Sequence, residues 1–452
     1  MSDTVRPLSY LDPPFPKNLH AEAARVLQLQ HELRSFERLD RRRQDSLLSA
    51  QLRQLIAHAK RYAPFWSERI NSQVPDARSA AETMTGVPVL TRSDLQSRQK
   101  EIAADFPQRK NVNVSHTLTS GSTGTPVRVE HLATMQRRIN QVAVLLTARW
   151  HGIDPNKSFG TLLGNAEDGD DVPLSAPFSW FGPVSSGFSR CTMHREHDEL
   201  YGLCALKNPS YLYCGPEPAV GLALYAIRSG RRDFRPEAAL TIGSTVTAEM
   251  RDVVREGLGA KIVDNYLAQE TSIIAIQCPK YDHHHVISPI SMVEIVDEQD
   301  RPCPAGRPGR VLVTSMKSFA MPLLRYEIGD TAEWGEPCDC GITLPVIGKL
   351  WGRTSRIFVN PDGRKTYAKI YARAFDDVDD LIEYRFVLHQ NKMIDAQLRV
   401  RKPSPEIAAS VTETVQKALS YPYPVKIRFV DKIDWGLSWK KENFEVSNAP
   451  PP

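Results

Sequence analysis

Thr117-Leu118-Thr119-Ser120-Gly121-Ser122-Thr123-Gly124-Thr125-Pro126-Val127-Arg128-Val129 alternates hydroxyl residues with glycines between two flanks that read as β-strands. Glycine lets the backbone turn tightly and approach a ligand, while Ser and Thr hydroxyls and the freed N–H groups supply donors to anionic oxygens. The stretch therefore reads as a phosphate cradle. No lysine follows its last glycine, so the G-x-x-x-x-G-K-[ST] pattern is absent and a P-loop NTPase is disfavoured.

The cradle sits in a chain of 452 residues, longer than one hydrophobic core usually organises, so two or more domains are expected. With 41% apolar and 24% charged residues the composition is that of a soluble globular protein. The formal charge is only +4, and the densest basic run, Arg41-Arg42-Arg43, reads as a solvated helix face. No nucleic-acid partner is expected. The first twenty residues lack the apolar core of a signal peptide and no later run approaches 18 apolar residues, which points to a cytoplasmic protein without a membrane segment. Seven cysteines, an odd number, argue for reduced thiols or metal ligands over a disulfide framework.

Upstream of the cradle, residues from about Leu27 to Arg69 read as helical, with Leu48, Leu52, Leu55, Ile56 and Ala59 on one face. That helix should end before Ala63-Pro64, because proline disfavours helical geometry at the preceding residue. Val87-Pro88-Val89-Leu90-Thr91-Arg92-Ser93-Asp94-Leu95 reads as an extended step, a Thr or Ser cap and a new helix. From Asn111 to about Gly335 short β-rich runs (158–163, 211–214, 239–242, 261–265) alternate with helical patterns (134–151, 218–229, 247–257). Alternation of this kind predicts α/β layers with ligands at loops beyond the strand ends. Near the C-terminus, 384–390 and 425–430 read as strands around a helix over 406–418.

The order Ser120-Gly121-Ser122-Thr123-Gly124-Thr125-Pro126 resembles the phosphate loop of the adenylate-forming superfamily, the acyl-CoA synthetases and their relatives. The helix, Pro-aromatic turn and Pro-Val-Leu-Thr-Arg-x-Asp-Leu step ahead of it resemble the start of phenylacetate-CoA ligase-like members. Further segments follow in the superfamily's order. In Asn265-Tyr266-Leu267-Ala268-Gln269-Glu270 the resemblance implies that Tyr266 packs on adenine and Glu270 stands near Mg²⁺, a cation that favours a few hard oxygens plus phosphates. In Arg325-Tyr326-Glu327-Ile328-Gly329-Asp330 it makes Asp330 the acceptor of the ribose hydroxyls, a task suited to an acceptor-only carboxylate. Gly348-Lys349-Leu350-Trp351-Gly352-Arg353-Thr354-Ser355-Arg356 is similar to the Gly-Arg-x-Asp-Asp hinge segment, with Arg353 approaching ribose and phosphate. Ser355 and Arg356 replace the two acidic residues, a departure that bears on the second half-reaction more than the first. Ser438-Trp439-Lys440 stands where the family has Ser-Gly-Lys, so Lys440 is favoured over Lys441 as the catalytic lysine. Gly243 and Ser244 occupy the place where family members hold adenine with backbone atoms, without the common Gly-Glu pair. Trp180-Phe181 could line an acyl pocket, although an aromatic pair is more often core, and His116 and His151 read as packing or surface residues.

Cys278, followed by His283-His284-His285, and Cys338-Asp339-Cys340-Gly341 bring thiols and imidazoles from separate loops. Cys278, Cys338 and Cys340 with one histidine would give a closed, structural Cys₃His zinc site with no position for water. Ligases like the phenylacetate-CoA family carry a comparable arrangement; His285 matches best in register, with His284 as the alternative.

Taken together, the resemblance implies an adenylation (AMP-binding) domain over 1–350 and a small mobile α/β domain over 351–452. It implies ATP-dependent conversion of a carboxylic acid, of aryl or arylacetic type, to an acyl-adenylate, followed by thioester formation with CoA. Mg²⁺ and structural Zn²⁺ would be required, and a homodimer is the expected assembly. Transfer of the adenylate to an amine or a carrier protein, and a degenerate protein that binds nucleotide or acyl ligand without turnover, are the alternatives.

Overall fold

In the computed structural model the described residues are 21–70, 79–84, 86–119, 127–154, 157–164, 166–172, 187–192, 195–353, 357–363, 365–367, 375, 378, 380–433 and 443–447. The N-terminal helical stretch is three helices, α1 (Ala21–Phe36), α2 (Arg41–Tyr62) and α3 (Pro64–Arg69), where the sequence pattern reads as a helix interrupted only at Ala63-Pro64. Asp40 makes the first break: it is extended, and its carboxylate accepts a hydrogen bond from Arg43 N, an N-cap that starts α2 afresh. The second break falls at Ala63, ahead of Pro64, as the proline requires. After α4 (Ala80–Met84), Thr91 opens α5 (Arg92–Ser97) with a reciprocal capping box to Asp94, and α6 (Gln99–Ile102) follows.

The strands β1 (Val114–Thr119) and β2 (Val127–Leu132) pair antiparallel with Thr119 opposite Val127, so residues 120–126 connect the two arms of a hairpin. Helix α7 (Ala133–His151) then leads into the main sheet. Its first half alternates strands with helices: β3 (Phe159–Leu163), β4 (Gly169–Val172), β5 (Gly187–Cys191), α8 (His197–Lys207), β6 (Tyr211–Cys214), α9 (Pro216–Ser229), β7 (Ala238–Thr241), α10 (Ala248–Leu258) and β8 (Lys261–Ala268). From there the alternation predicted as far as Gly335 stops. The next strands, β9 (Ser272–Gln277), β10 (His284–Val286), β11 (Ser291–Val296), β12 (Gly309–Ser315), β13 (Tyr326–Trp334) and β14 (Val346–Arg353), follow one another without a helix.

All of β3 to β14 belong to one sheet in the order β11-β12-β13-β14-β10-β9-β8-β7-β6-β3-β5-β4. Its β5-β3-β6-β7-β8 part is parallel and the β8-to-β11 part antiparallel. Successive residues of the parallel strands enter different cores. Ala238, Leu240 and Val263 join a core shared with α2, α3 and α7, whereas Ala239 and Ile262 join another built with α8, α9 and α10. Burial on both faces is what a parallel sheet needs, and it explains the near-continuous apolar strands.

Beyond β14 come a hairpin of β15 (Ile357–Val359) and β16 (Lys365–Tyr367), then β17 (Leu381–Leu388), β18 (Ile394–Val400), α11 (Pro405–Leu419), β19 (Val425–Phe429) and β20 (Phe444–Val446). A separate four-stranded sheet, β19-β18-β17-β20, packs its own core of Phe386, Leu398, Val411 and Val415. The architecture is α/β, as the sequence predicts. No helix among the described residues is long and apolar enough to cross a membrane.

Candidate functional site

The parallel strands end at one rim of the sheet, and the residues singled out by the nucleotide motifs gather there. Tyr266, near the end of β8, is buried, and its hydroxyl donates to Asp330 Oδ2 on β13 at 2.7 Å. Burial first, and then the Asp330 charge, raise the phenol's pKa well above its ordinary value, so it stays a donor. Asp330 lies opposite Arg353 of β14 in the strand register, with Arg353 Nε 3.7 Å from Asp330 Oδ1 and Arg353 Nη1 donating to Ile328 O at 2.7 Å. Gly329 makes room for that crossing. Its φ is +83°, and a Cβ there would stand 3.3 Å from Arg353 Nη1.

Glu270 occupies the turn between β8 and β9, where Ser272 turns the chain with φ +67°. Its carboxylate is buried, accepts from Tyr326 Oη at 3.4 Å and lies 3.6 Å from Arg92 Nη1. Two members of this group escape a motif reading. Arg92 is the first residue of α5, and the capping box at Thr91 fixes the helix start that delivers it; the cap is legible in the sequence, whereas the arginine's place beside Glu270 is not. Thr271, beside Glu270, holds a buried hydroxyl oxygen without a hydrogen-bond partner among the described residues. A buried hydroxyl of this kind is costly unless something binds it. Together with the Glu270 carboxylate it makes a hard-oxygen pair, the donor chemistry that suits Mg²⁺.

The remaining elements of this rim are tied to it through backbone. Leu90 N donates to Arg325 O (3.1 Å) and Glu327 N to Leu90 O (2.9 Å), so the Val-Leu-Thr-Arg step is stitched directly to the strand bearing Asp330. Arg325 itself adopts φ +45° and points its guanidinium at Glu294 (3.1 Å) and Val87 O (3.0 Å). Gly243 and Ser244 follow β7, the neighbour of β8, and the Ser244 hydroxyl donates to Glu217 Oε1 at 2.6 Å. The other predicted residues, Ser120, Gly121, Ser122, Thr123, Gly124, Thr125, Ser355, Arg356, Lys440, Lys441 and the Trp180-Phe181 pair, lie outside the described residues. His116 is partly exposed beside Glu130 (3.8 Å), and His151 is half-buried with Nε2 donating to Gln277 O (2.9 Å); neither joins the rim.

A second cluster lies where β9, β10 and the loop before β14 meet. Donor atoms of Cys278, His283, His285 and Cys338 all fall within 4.8 Å of one another. Cys340 Sγ stands 3.3 Å from His285 Nε2, and the Cys278 and Cys338 sulfurs are 3.8 Å apart. His285 Nδ1 faces the carbonyl of Leu344 at 3.3 Å. A carbonyl only accepts, so the proton sits on Nδ1 and the Nε2 lone pair faces the thiols, the orientation typical of a metal-ligating imidazole. His283 Nε2 is buried and without a partner among the described residues. His284 is excluded: neighbours on a strand point to opposite faces, and its Nε2 is bonded to Asp264 Oδ2 at 3.1 Å. Asp264 is in turn held by Thr241 Oγ1 at 2.9 Å, so this buried pair is fully engaged. All seven cysteines are free thiols.

No family model matches the chain. It is 24% identical over 384 residues to phenylacetate-coenzyme A ligase of Thermus thermophilus, covering 82% of this chain and 84% of that protein. The structure of a 2-hydroxyisobutyryl-CoA ligase with a hydroxyisobutyryl-AMP ligand superimposes with a TM-score of 0.69 at 17% identity, over 92% of this chain and 91% of that one. An anthranilate CoA ligase bound to anthranoyl-AMP gives a TM-score of 0.53 at 16% identity, over 75% and 66% of the two chains. The chain is thus a relative of a phenylacetate-CoA ligase and has the fold of adenylate-forming acyl-CoA ligases.

Proposed function

We propose that the protein is an AMP-forming acid–thiol ligase. A carboxylate attacks the α-phosphorus of ATP to give an acyl-adenylate and pyrophosphate, and the thiol of CoA then displaces AMP to form a thioester. The observation that carries this reading is the set Tyr266, Asp330 and Arg353, joined by one hydrogen bond and one ion pair and drawn from three motifs far apart in sequence to one rim of the sheet. Asp330 accepts the ribose hydroxyls there, Tyr266 packs against adenine and holds the Asp330 carboxylate in place, and Arg353 faces the ribose and phosphate. The hairpin connection 120–126 cradles the departing pyrophosphate, and the Gly243-Ser244 backbone borders the adenine.

Glu270 with Thr271 would hold Mg²⁺, which supplies charge neutralisation on the phosphates when bound. Cys278, His285, Cys338 and Cys340 would hold a structural Zn²⁺, with His283 as a fifth donor competing for the same four positions. The residues beyond β14 form the small mobile domain and those up to Arg353 the adenylation domain, three residues past the boundary read from the sequence because β14 (Val346–Arg353) belongs to the large sheet, and the assembly is a cytoplasmic homodimer. The relative's name favours an arylacetic acid as substrate.

Carboxylate-dependent exchange of labelled pyrophosphate into ATP, run over a panel of aryl, arylacetic and short hydroxy acids, tests the first step. CoA addition with mass detection of the thioester tests the second. Nucleotide binding without exchange under every acid would overturn the reading in favour of a binding protein, and exchange without thioester would direct the adenylate to an amine or carrier thiol.

Asp330→Ala removes two charge-assisted hydrogen bonds to ribose and leaves the Tyr266 hydroxyl without its acceptor. A loss of about 2 to 3 kcal/mol, roughly 30- to 150-fold in kcat/KM for ATP, is expected with KM for the acid little changed. Steady-state kinetics with each substrate varied in turn check this, and an unchanged ATP dependence would remove Asp330 from the site.

A further inference from the structure

At the opposite end of β8 from Tyr266 the surface opens into a cavity of about 140 Å³ bordered by His151, Arg251, Arg255, Lys261, Lys280 and Asp282 among its lining residues. Five residues of strand separate Lys261 from Tyr266, about 17 Å at a strand's rise, so this is not the nucleotide rim. The charge around it is unbalanced. Arg251 is buried, donates to Ile262 O at 3.0 Å, and among the described residues has only the exposed Asp282 carboxylate beside it, at 3.4 Å. The Lys261 ammonium donates to a neutral acceptor, the His151 carbonyl at 3.0 Å, and pairs with no carboxylate among the described residues. Lys280 and Arg255 close the rim from either side, each leaning on a carboxylate outside the cavity, Asp339 (2.9 Å) and Asp252 (2.7 Å).

Four cations thus converge on a cavity whose lining contributes one exposed carboxylate, and with Asp252 and Asp339 pairing two of them from outside, the local excess is one positive charge. The His151 imidazole answers to the same field: burial first, and beyond it the Lys261, His284 and Arg251 charges, push its pKa down to about 4. It is therefore neutral and leaves the positive charge to the guanidinium and ammonium groups. A buried guanidinium so weakly compensated is costly unless a further anion completes its pairing. The volume suits a group of phosphate size with a few waters, each of which takes about 30 Å³.

We propose that this cavity is a second anion site, distinct from the nucleotide rim, that takes a phosphoryl group bound between Arg251, Lys261, Lys280 and Arg255. Arg251 supplies the planar fork that matches two phosphate oxygens, and the lysines supply compact charge at the mouth. The occupant is free phosphate or the phosphomonoester end of a small metabolite. Because the site is built on β8 and on the loop that begins at Cys278, occupancy stabilises the folded chain by mass action without entering the reaction. The inference stands whether or not the protein is a ligase.

The test is isothermal titration of inorganic phosphate, and separately of AMP, into the wild-type chain in a phosphate-free buffer at fixed ionic strength. Lys261→Gln and Arg255→Ala, both at solvent-facing positions, serve as site variants, with circular dichroism to verify folding. Saturable phosphate binding that weakens at least tenfold in both variants, and is kept in Asp330→Ala, is the expected result. AMP binding that falls in the same two variants would identify a phosphomonoester as the occupant, and AMP binding insensitive to them would assign the cavity to free phosphate. Phosphate affinity unchanged by Lys261→Gln and Arg255→Ala, or a non-saturable stabilisation common to all variants as expected from general salt exclusion, would overturn the proposal.

Discussion

Lys440→Ala is expected to lower carboxylate-dependent pyrophosphate exchange about 100- to 1000-fold, with KM for ATP changed much less. The negative charge that builds on the α-phosphate oxygens, as the attacking carboxylate gives up its own during adenylation, needs a compact cation that arrives with the reaction. A lysine ammonium on a four-carbon stem supplies one. Its loss removes an interaction stronger in the transition state than in the ground state, so kcat falls with kcat/KM. Lys441→Ala should cost less than tenfold, because its neighbour keeps the register with Ser438. The decisive comparison is the pair of variants side by side: a damaging Lys441→Ala with a mild Lys440→Ala would shift the catalytic role by one residue. Adding CoA to preformed acyl-adenylate tells whether the defect is confined to the first step.

Loss of the thiol knot should produce the largest effect on stability. Cys338→Ser with Cys340→Ser is expected to reduce zinc from about one per chain to near zero and to lower the melting temperature by on the order of 10 °C, from a loss of several kcal/mol. The donor atoms are already gathered, and His285 Nδ1 is bonded to Leu344 O so that Nε2 faces the thiols. Without a metal, the thiols of buried Cys278 and half-buried Cys338 crowd one another and the His283 nitrogen lacks a partner among the described residues. His284→Gln acts as the contrasting variant. It should keep zinc while disturbing Asp264, because that ring faces the other side of β10. Wild-type protein that is purified metal-free and gains no stability from added zinc would sink the assignment.

Motif chemistry was the most legible layer of this chain. Tyr266 and Asp330 are 64 residues apart, yet each carried enough local pattern to be paired with the same ligand before their 2.7 Å contact was known. Residues whose role arises only from packing were not legible. Arg92 reads as one more polar residue in a first helical turn until the fold brings it to Glu270, and Thr271 is an ordinary turn threonine until burial strips its hydroxyl of partners. Strand parity decided between His284 and His285, and a three-histidine run shows no parity until its strand is placed.

Secondary structure followed the same division. Where helices alternate with strands, between α7 and β8, boundaries agreed within a few residues because caps such as Thr247 before α10 are written locally. Past β8 the alternation was misread. Strands such as Ser272–Gln277 are buried at every position, so they carry no period of two to separate them from a buried helix. In the N-terminal stretch, helical periodicity runs through Arg38 to Arg43, and only the capping chemistry of Asp40 reveals the break.

The meeting of Cys278 and Cys338 has a consequence for how the chain assembles. Strand β10 pairs with β14 although β11, β12 and β13 intervene, so closing the sheet there joins segments some sixty residues apart. Contacts this distant in sequence are slow to form because the entropy of closing the loop comes due first. A cation bridging the two thiols early would shorten that excursion to a tether, an entropic gain of about 4 kcal/mol for a loop of this length. Metal supply during synthesis would then set the order in which the sheet is laid down, with the β11–β13 meander folding inside a loop that is already closed.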